Sequence, residues 1–237
     1  MRALITILFW AICANAAASP TSQLYTGDAV TVPPGITQFQ CYYDAAFGGS
    51  QRVAGGSLTF GATNRLDAKL GYGYLWNNVG PDVRLGPNIG VKWRVVGDGA
   101  KEPSLAFSSL FAINDGVGGK PHKNDFGELM IVQYPTKPAI LLLNYGRVWV
   151  GDTHASDIGY FAFAAARFIK PHTLLAALEY SALRRVMNTR QERSIEQIAA
   201  ALVYAPDKSH SYTLQLADLL IEDSSTMHLS LGISLNL

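Results

Sequence analysis

Apolar and polar positions alternate with a period of two along most of the chain. At its end Met227, Leu229, Leu231, Ile233, Leu235 and Leu237 alternate with His228, Ser230, Gly232, Ser234 and Asn236. Leu66, Ala68, Leu70, Tyr72, Tyr74 and Trp76 alternate with Asp67, Lys69, Gly71 and Gly73, and Ile89, Val91, Trp93 and Val95 with Asn88, Gly90, Lys92 and Arg94. Successive side chains of a strand point to opposite faces, so each segment has one large apolar face and one small or charged face. Strand-like segments fall at 35–44, 52–61, 65–76, 84–96, 104–114, 126–135, 139–150, 157–169, 172–183, 194–205, 210–220 and 227–237, twelve in all. Region 172–204 is the least clear. Ile195, Ile198, Ala199 and Leu202 stand at helical spacing and Leu174–Glu179 favours helix, so a helical hairpin competes there, although Pro171 and Pro206 bound the region as turns would.

The connections alternate in length. Short ones lie at Thr63-Asn64-Arg65, Pro135 to Pro138, Lys170-Pro171 and Pro206-Asp207-Lys208, and longer ones at 44–51, 114–125 and 184–193. Two folds satisfy this pattern: a secreted sandwich with its polar faces in water, and an antiparallel barrel with its apolar faces in a membrane. Composition favours the barrel. Hydrophobic residues make up 49% of the chain and charged residues 16%, against roughly 25% charged in an average soluble domain. The polar faces are rich in Gly, Ser and Ala rather than Lys and Glu. Aromatic residues such as Tyr74, Trp76, Trp93, Tyr134, Tyr145, Trp149, Tyr160, Phe168, Tyr180, Tyr204 and Tyr212 fall near strand ends, as interfacial girdles require. The expected fold is all-β: a single antiparallel transmembrane β-barrel of about twelve strands.

The first residues read as an address. Arg2, an apolar run from Ala3 to Ile12 and the small residues Ala14 to Ser19 form a secretory signal peptide, too short to span a membrane. The expected organisation is a cleaved signal peptide over 1–18, an N-terminal periplasmic segment over 19–34 and the barrel over 35–237. Export, alternation and an even strand number place the barrel in a bacterial outer membrane. Short periplasmic turns and long outer loops then put both termini in the periplasm. With 19 basic and 18 acidic residues the net charge is +1, which gives no basic surface for nucleic acid. Removal of the signal peptide leaves Cys41 as a lone thiol, expected to pack as a small apolar residue.

Several stretches carry a family resemblance. Val32-Pro33-Pro34-Gly35 precedes the first strand. Leu58-Thr59-Phe60-Gly61-Ala62-Thr63-Asn64-Arg65 leads through a tight turn into Leu66-Asp67-Ala68-Lys69-Leu70-Gly71-Tyr72. With Leu85-Gly86-Pro87-Asn88-Ile89-Gly90-Val91-Lys92-Trp93-Arg94 and Leu141-Leu142-Leu143-Asn144-Tyr145-Gly146, they make the chain resemble the outer-membrane barrels first described with the MetA pathway of phenol degradation. The resemblance implies a transporter role, with passive passage of small, hydrophobic or aromatic solutes, no catalytic site and no cofactor. It also implies outer-membrane lipid, lipopolysaccharide and the barrel-assembly machinery as partners. The chain departs from the pattern at Leu237, where such barrels usually end in an aromatic residue. Pro87 also departs, and belongs at a strand start or bulge.

The inward faces expected from the alternation carry Asp67, Lys69, Lys92, Arg94, Asn144, Arg167, Glu179, Gln197 and Gln215, with Phe161 and Phe163 as an aromatic strip. These are the candidate lumen-lining and solute-binding residues. The competing reading is that they plug the tube, since eight strands are filled by side chains and sixteen leave an aqueous channel. A third class is a lipid hydrolase using His154 and Ser156, two apart in an extended segment. A third group must orient the histidine, and Asp152 and Asp157 are near in sequence, but a loop rich in Gly, Asp, Thr and Ser ordinarily reads as a turn. Gly116-Val117-Gly118-Gly119-Lys120 lacks the Ser/Thr of a phosphate loop. Arg184, Arg185, Arg190 and Arg193, with Lys120 and Lys123, are loop cations of a kind that pairs with lipopolysaccharide phosphates. No metal-ligand spacing is present among the five histidines.

Overall fold

In the computed structural model the described residues are 28–48, 51–77, 83–98, 101–113, 124–137, 139–151, 157–186, 194–221 and 224–237. Twelve strands follow one another: β1 (Thr37–Ala46), β2 (Gln51–Thr63), β3 (Leu66–Asn77), β4 (Val83–Val96), β5 (Ser104–Ala112), β6 (Asp125–Pro135), β7 (Ile140–Trp149), β8 (Asp157–Lys170), β9 (Leu174–Val186), β10 (Ser194–Tyr204), β11 (His210–Ile221) and β12 (Ser224–Asn236). Each pairs with its sequence neighbours, and β1 closes on β12 from Gln38↔Asn236 to Ala46↔His228. Closure leaves no unpaired sheet edge, the condition for a sheet to sit in hydrocarbon. The region with helical spacing is the antiparallel pair β9–β10, in register from Ser194↔Arg184 to Tyr204↔Leu174. Neighbouring strands on both sides satisfy its backbone and override its helix propensity.

Both barrel termini, Thr37 and Leu237, lie at one end and bond to each other: Leu237 N–H donates to Thr37 O at 2.7 Å. The Asn64-Arg65 turn, the turn around Pro171 and the Ala205–Ser209 turn share that end, called here the turn end; the opposite end is the loop end. Pro87 sits at an irregularity. The β3–β4 register passes from Gly71↔Asn88 to Gly73↔Leu85 and skips Gly86 and Pro87, so the missing N–H costs no ladder bond.

At mid-strand the outer face is apolar. Leu58, Leu70, Ile89, Leu202, Leu214 and Leu231 stand exposed at mid-strand. Aromatic pairs flank this band: Phe126 stacks on Trp149 at 5.6 Å near the loop end, and Tyr204 on Tyr212 at 6.4 Å near the turn end. Cys41 lies on the same outer face, half-buried among apolar neighbours.

Inside, the alternation expected from sequence fails on one wall. β6 to β9 carry large apolar side chains on both faces: Leu129, Ile131, Leu142, Ile158 and Leu175 point inward and are fully buried, with the polar Gln133, Asn144 and Glu179 set among them. This reverses three side chains. Phe161 and Phe163 face outward and are exposed, because Ile158, Tyr160, Ala162, Ala164 and Ala166 take the inner positions of β8. Small alanines fit the narrow interior, and the bulky rings meet lipid instead. Arg167 shares the outward phase of the two phenylalanines and lies outside the barrel too. Tyr160 points inward, and Phe168 packs against the inner cluster of Leu142, Leu175 and Val203; neither belongs to a girdle.

Candidate functional site: the barrel interior

The inner surface divides into two territories. Toward the loop end, Val53, Leu75, Leu110, Leu129, Ile131, Val148, Ile158, Leu183, Ile195 and Leu219 form one buried apolar cluster. On the walls of β1 to β4, β11 and β12 the inner positions include Gln38, Gln40, Thr59, Asp67, Lys69, Asn88, Lys92, Thr213 and Gln215. The apolar lining continues to the turn end on β7 to β10 through Leu142, Ala166, Leu175 and Val203, so the interior is apolar along one wall and hydrogen-bonding along the other.

The turn-end mouth is occupied by the chain's own N-terminal segment. Residues 28–32, expected in the periplasm, are tucked inside, with Asp28, Ala29, Thr31 and Val32 buried. Inward-facing side chains hold them. Asp67 Oδ1 accepts from Val32 N–H at 3.0 Å, Gln133 Oε1 accepts from Ala29 N–H at 3.1 Å, and the Lys92 ammonium donates to Val30 O. Lys92 Nζ also lies 3.6 Å from both Asp28 and Asp67, with all three side chains almost inaccessible. Buried charges persist only when paired, and this triad brings two acids to one base. The segment then turns at Pro34-Gly35, where Gly35 has φ 76°, and Gly35 N–H donates to Gly61 O at 2.9 Å before β1 begins. Only a residue without a Cβ takes that backbone angle cheaply.

Of the sequence candidates, Asp67, Lys69, Lys92, Asn144, Glu179, Gln197 and Gln215 are inward and buried. Arg94 lies at the rim. Its guanidinium donates to Asp98 O at 2.8 Å and to Asn64 O, which also accepts from Thr31 Oγ1 at 2.9 Å, so it braces two turns and the seated segment. Glu179 and Gln215 are brought together across the wall, the Gln215 amide donating to Glu179 Oε1. Asn144 stands apart. It is fully buried, registers with Ile131 on one side and Ala162 on the other, and neither amide atom meets a protein partner. Asn88 is in the same condition, and a buried amide is costly unless water or a solute bonds it.

One cluster was not anticipated. Asp44 accepts from His228 Nδ1 at 2.8 Å and from the Ser230 hydroxyl, all three on the inner face where β1 meets β12. Each residue stands at an inward phase of its own strand. Their meeting depends on closure of the first strand on the last, which no local pattern announces. The serine hydroxyl thus bonds the same carboxylate as the imidazole. The pair His154 and Ser156 lies outside the described residues, as do Lys120, Lys123, Arg190 and Arg193. Among the described residues no three or more His, Cys, Asp or Glu are grouped to hold a metal.

No known family profile matches this sequence, and no curated protein matches it either. Solved structures do. The NanC porin aligns at TM-score 0.65 and 12% identity, over 84% of this chain and 100% of that one. An outer membrane channel from Pseudomonas putida F1 aligns at 0.64 and 11%, over 89% and 98%. The CymD monoaromatic hydrocarbon channel aligns at 0.52 and 8%, over 86% and 88%. At these identities the likeness is one of fold: the chain is built as outer-membrane channel barrels are built.

Proposed function

We propose that the protein is a passive outer-membrane channel for small hydrophobic molecules, with its turn end in the periplasm and its loop end outside. The observation that carries this reading is the two-territory interior. An apolar wall running from the outer mouth toward the periplasm gives a dry solute a surface to partition onto, and the hydrogen-bonding wall beside it lets water accompany the path. Diffusion down a gradient through such a path needs no cofactor and no catalytic group. Asp67, Lys69, Lys92, Asn144, Glu179, Gln197 and Gln215 are the proposed lining, with the segment 28–32 narrowing the inner mouth. The outer apolar band with its aromatic pairs supports a hydrocarbon setting, and the channel-like neighbours agree in fold.

A second reading is favoured by one observation. Ile131 and Leu142 are entirely inaccessible and the mouth is filled by residues 28–32, as in a barrel whose role is structural. Uptake separates the two. Cells expressing the protein in their outer membrane should accumulate a labelled monoaromatic hydrocarbon faster than cells without it, while heat-modifiable migration confirms a folded barrel. Equal uptake with a folded barrel present supports the plugged reading.

A further inference from the structure

The outer wall carries a trough that the channel does not use. On β8, β9 and β10 two register rows adjoin on the outward face: Arg167, Ala176 and Leu202 nearer the turn end, then Ala165, Leu178 and Ala200 toward the middle. The three alanines are short where the neighbouring outer positions carry leucine, and the depression they leave has a volume of about 520 Å³ and is apolar except at Arg167. Two facts about Arg167 point to an occupant. It lies three residues from the Lys170 end of β8, so its long side chain reaches the headgroup level while its stem lies on the wall. It also makes no hydrogen bond or ion pair with any described residue. Arg147, another outward arginine, has the Asp157 carboxylate at 2.7 Å.

We propose that this trough is a binding site for one glycerophospholipid of the periplasmic leaflet, with its phosphate on Arg167 and an acyl chain lying along Ala176, Ala165 and Ala200. The polarity of the site matches that molecule and its orientation. The cation stands at the membrane edge and the apolar furrow runs from it toward the mid-plane, as headgroup and chain do in that leaflet. A planar guanidinium pairs with phosphate oxygens through two parallel N–H bonds. A second copy of this chain would bring hydrocarbon to the trough but, by two-fold symmetry, another unpaired arginine to Arg167.

The proposal rests on the membrane setting of the outer face, though not on what passes through the lumen. Delipidated barrel in an uncharged detergent, shown folded by heat-modifiable migration, is titrated with dioleoyl phosphatidylglycerol and followed by native mass spectrometry. One lipid is retained per barrel. Arg167→Gln and, separately, Ala200→Phe, which fills the furrow, each weaken retention by ~tenfold or more. Dioleoylglycerol, which lacks the phosphate, is not retained, and inorganic phosphate does not displace the lipid. Unsaturable binding, retention unchanged in both variants, displacement by phosphate alone, or a dimer in place of the lipid adduct would each overturn the site. A barrel that shows no heat-modifiable fold in detergent would count against the membrane reading instead.

Discussion

Lys92 Nζ lies 3.6 Å from Asp28 Oδ1, and this contact ties the inner face of β4 to the segment that precedes the barrel. The ammonium is also shared with Asp67 and with the carbonyl of Val30. Lys92 is therefore the charged centre of the contacts that keep residues 28–32 seated and the inner mouth narrow.

Replacing Lys92 by Met removes the ammonium that Asp28 and Asp67 share inside the barrel. Breaking a buried pair in this way costs about 3–5 kcal/mol, and the least costly relief is for Asp28 to leave with its segment. A cysteine placed at Ala29, which is inaccessible in the parent, should become reactive to a membrane-impermeant thiol reagent in Lys92→Met. Cys41 on the lipid face gives the background rate.

Gly61 offers a second route to the same release. A Cβ built there would come within 2.5 Å of Val32 O and would also strike Pro33 O, both of them backbone atoms. Gly61→Ala should therefore push the segment out while every charge of the Lys92 cluster remains. Labelling at position 29 should rise as it does in Lys92→Met. If labelling rises in neither variant, the segment is held by something other than these contacts.

Leu70 is half-exposed on the outer face, registered between Leu58 and Ile89. Leu70→Arg should cost roughly 2–4 kcal/mol if the residue lies at mid-bilayer, read as a lower denaturant midpoint with the barrel in lipid. The same change at Gly71, the adjacent inward position beside Asn88, would test steric fit instead.

The β10–β11 turn carries a pH signature. Asp207 accepts from His210 Nδ1 at 2.9 Å and from the Ser209 N–H at 2.7 Å, and these bonds hold its carboxyl below the ordinary carboxylate value. A depressed folded value means the turn's contribution is present above the unfolded pKa of about 3.9 and fades as pH falls through the folded one. A carboxyl NMR titration should find the Asp207 midpoint below that of a model aspartate. His210→Ala should bring it back up.

The strand pattern was legible because most strands repeat the same physics, a period of two, and outside the helix-prone 172–204 the sequence left little choice; the observed bounds differ from the expected ones by only a few residues. The inner face was legible where it is polar, at Asp67, Lys69 and Lys92, because charge on one phase and leucine on the other can be sorted only one way. It was not legible on β8, where Ala162 and Ala164 face Phe161 and Phe163 on the opposite phase with no inner charge to fix direction. There size decides: a narrow interior takes the alanines, and Arg167 follows the rings outward. The seating of residues 28–32 was hidden for another reason. Asp28, Asp67 and Lys92 are far apart in sequence and meet only once the barrel has closed around them.

Single-channel recording in planar bilayers tests the account most directly. The parent barrel should give small, brief current steps, and Lys92→Met and Gly61→Ala should give larger and longer ones as the inner mouth clears. Folded, membrane-inserted protein that passes no current in all three forms would contradict it, and would leave a filled barrel in place of a channel.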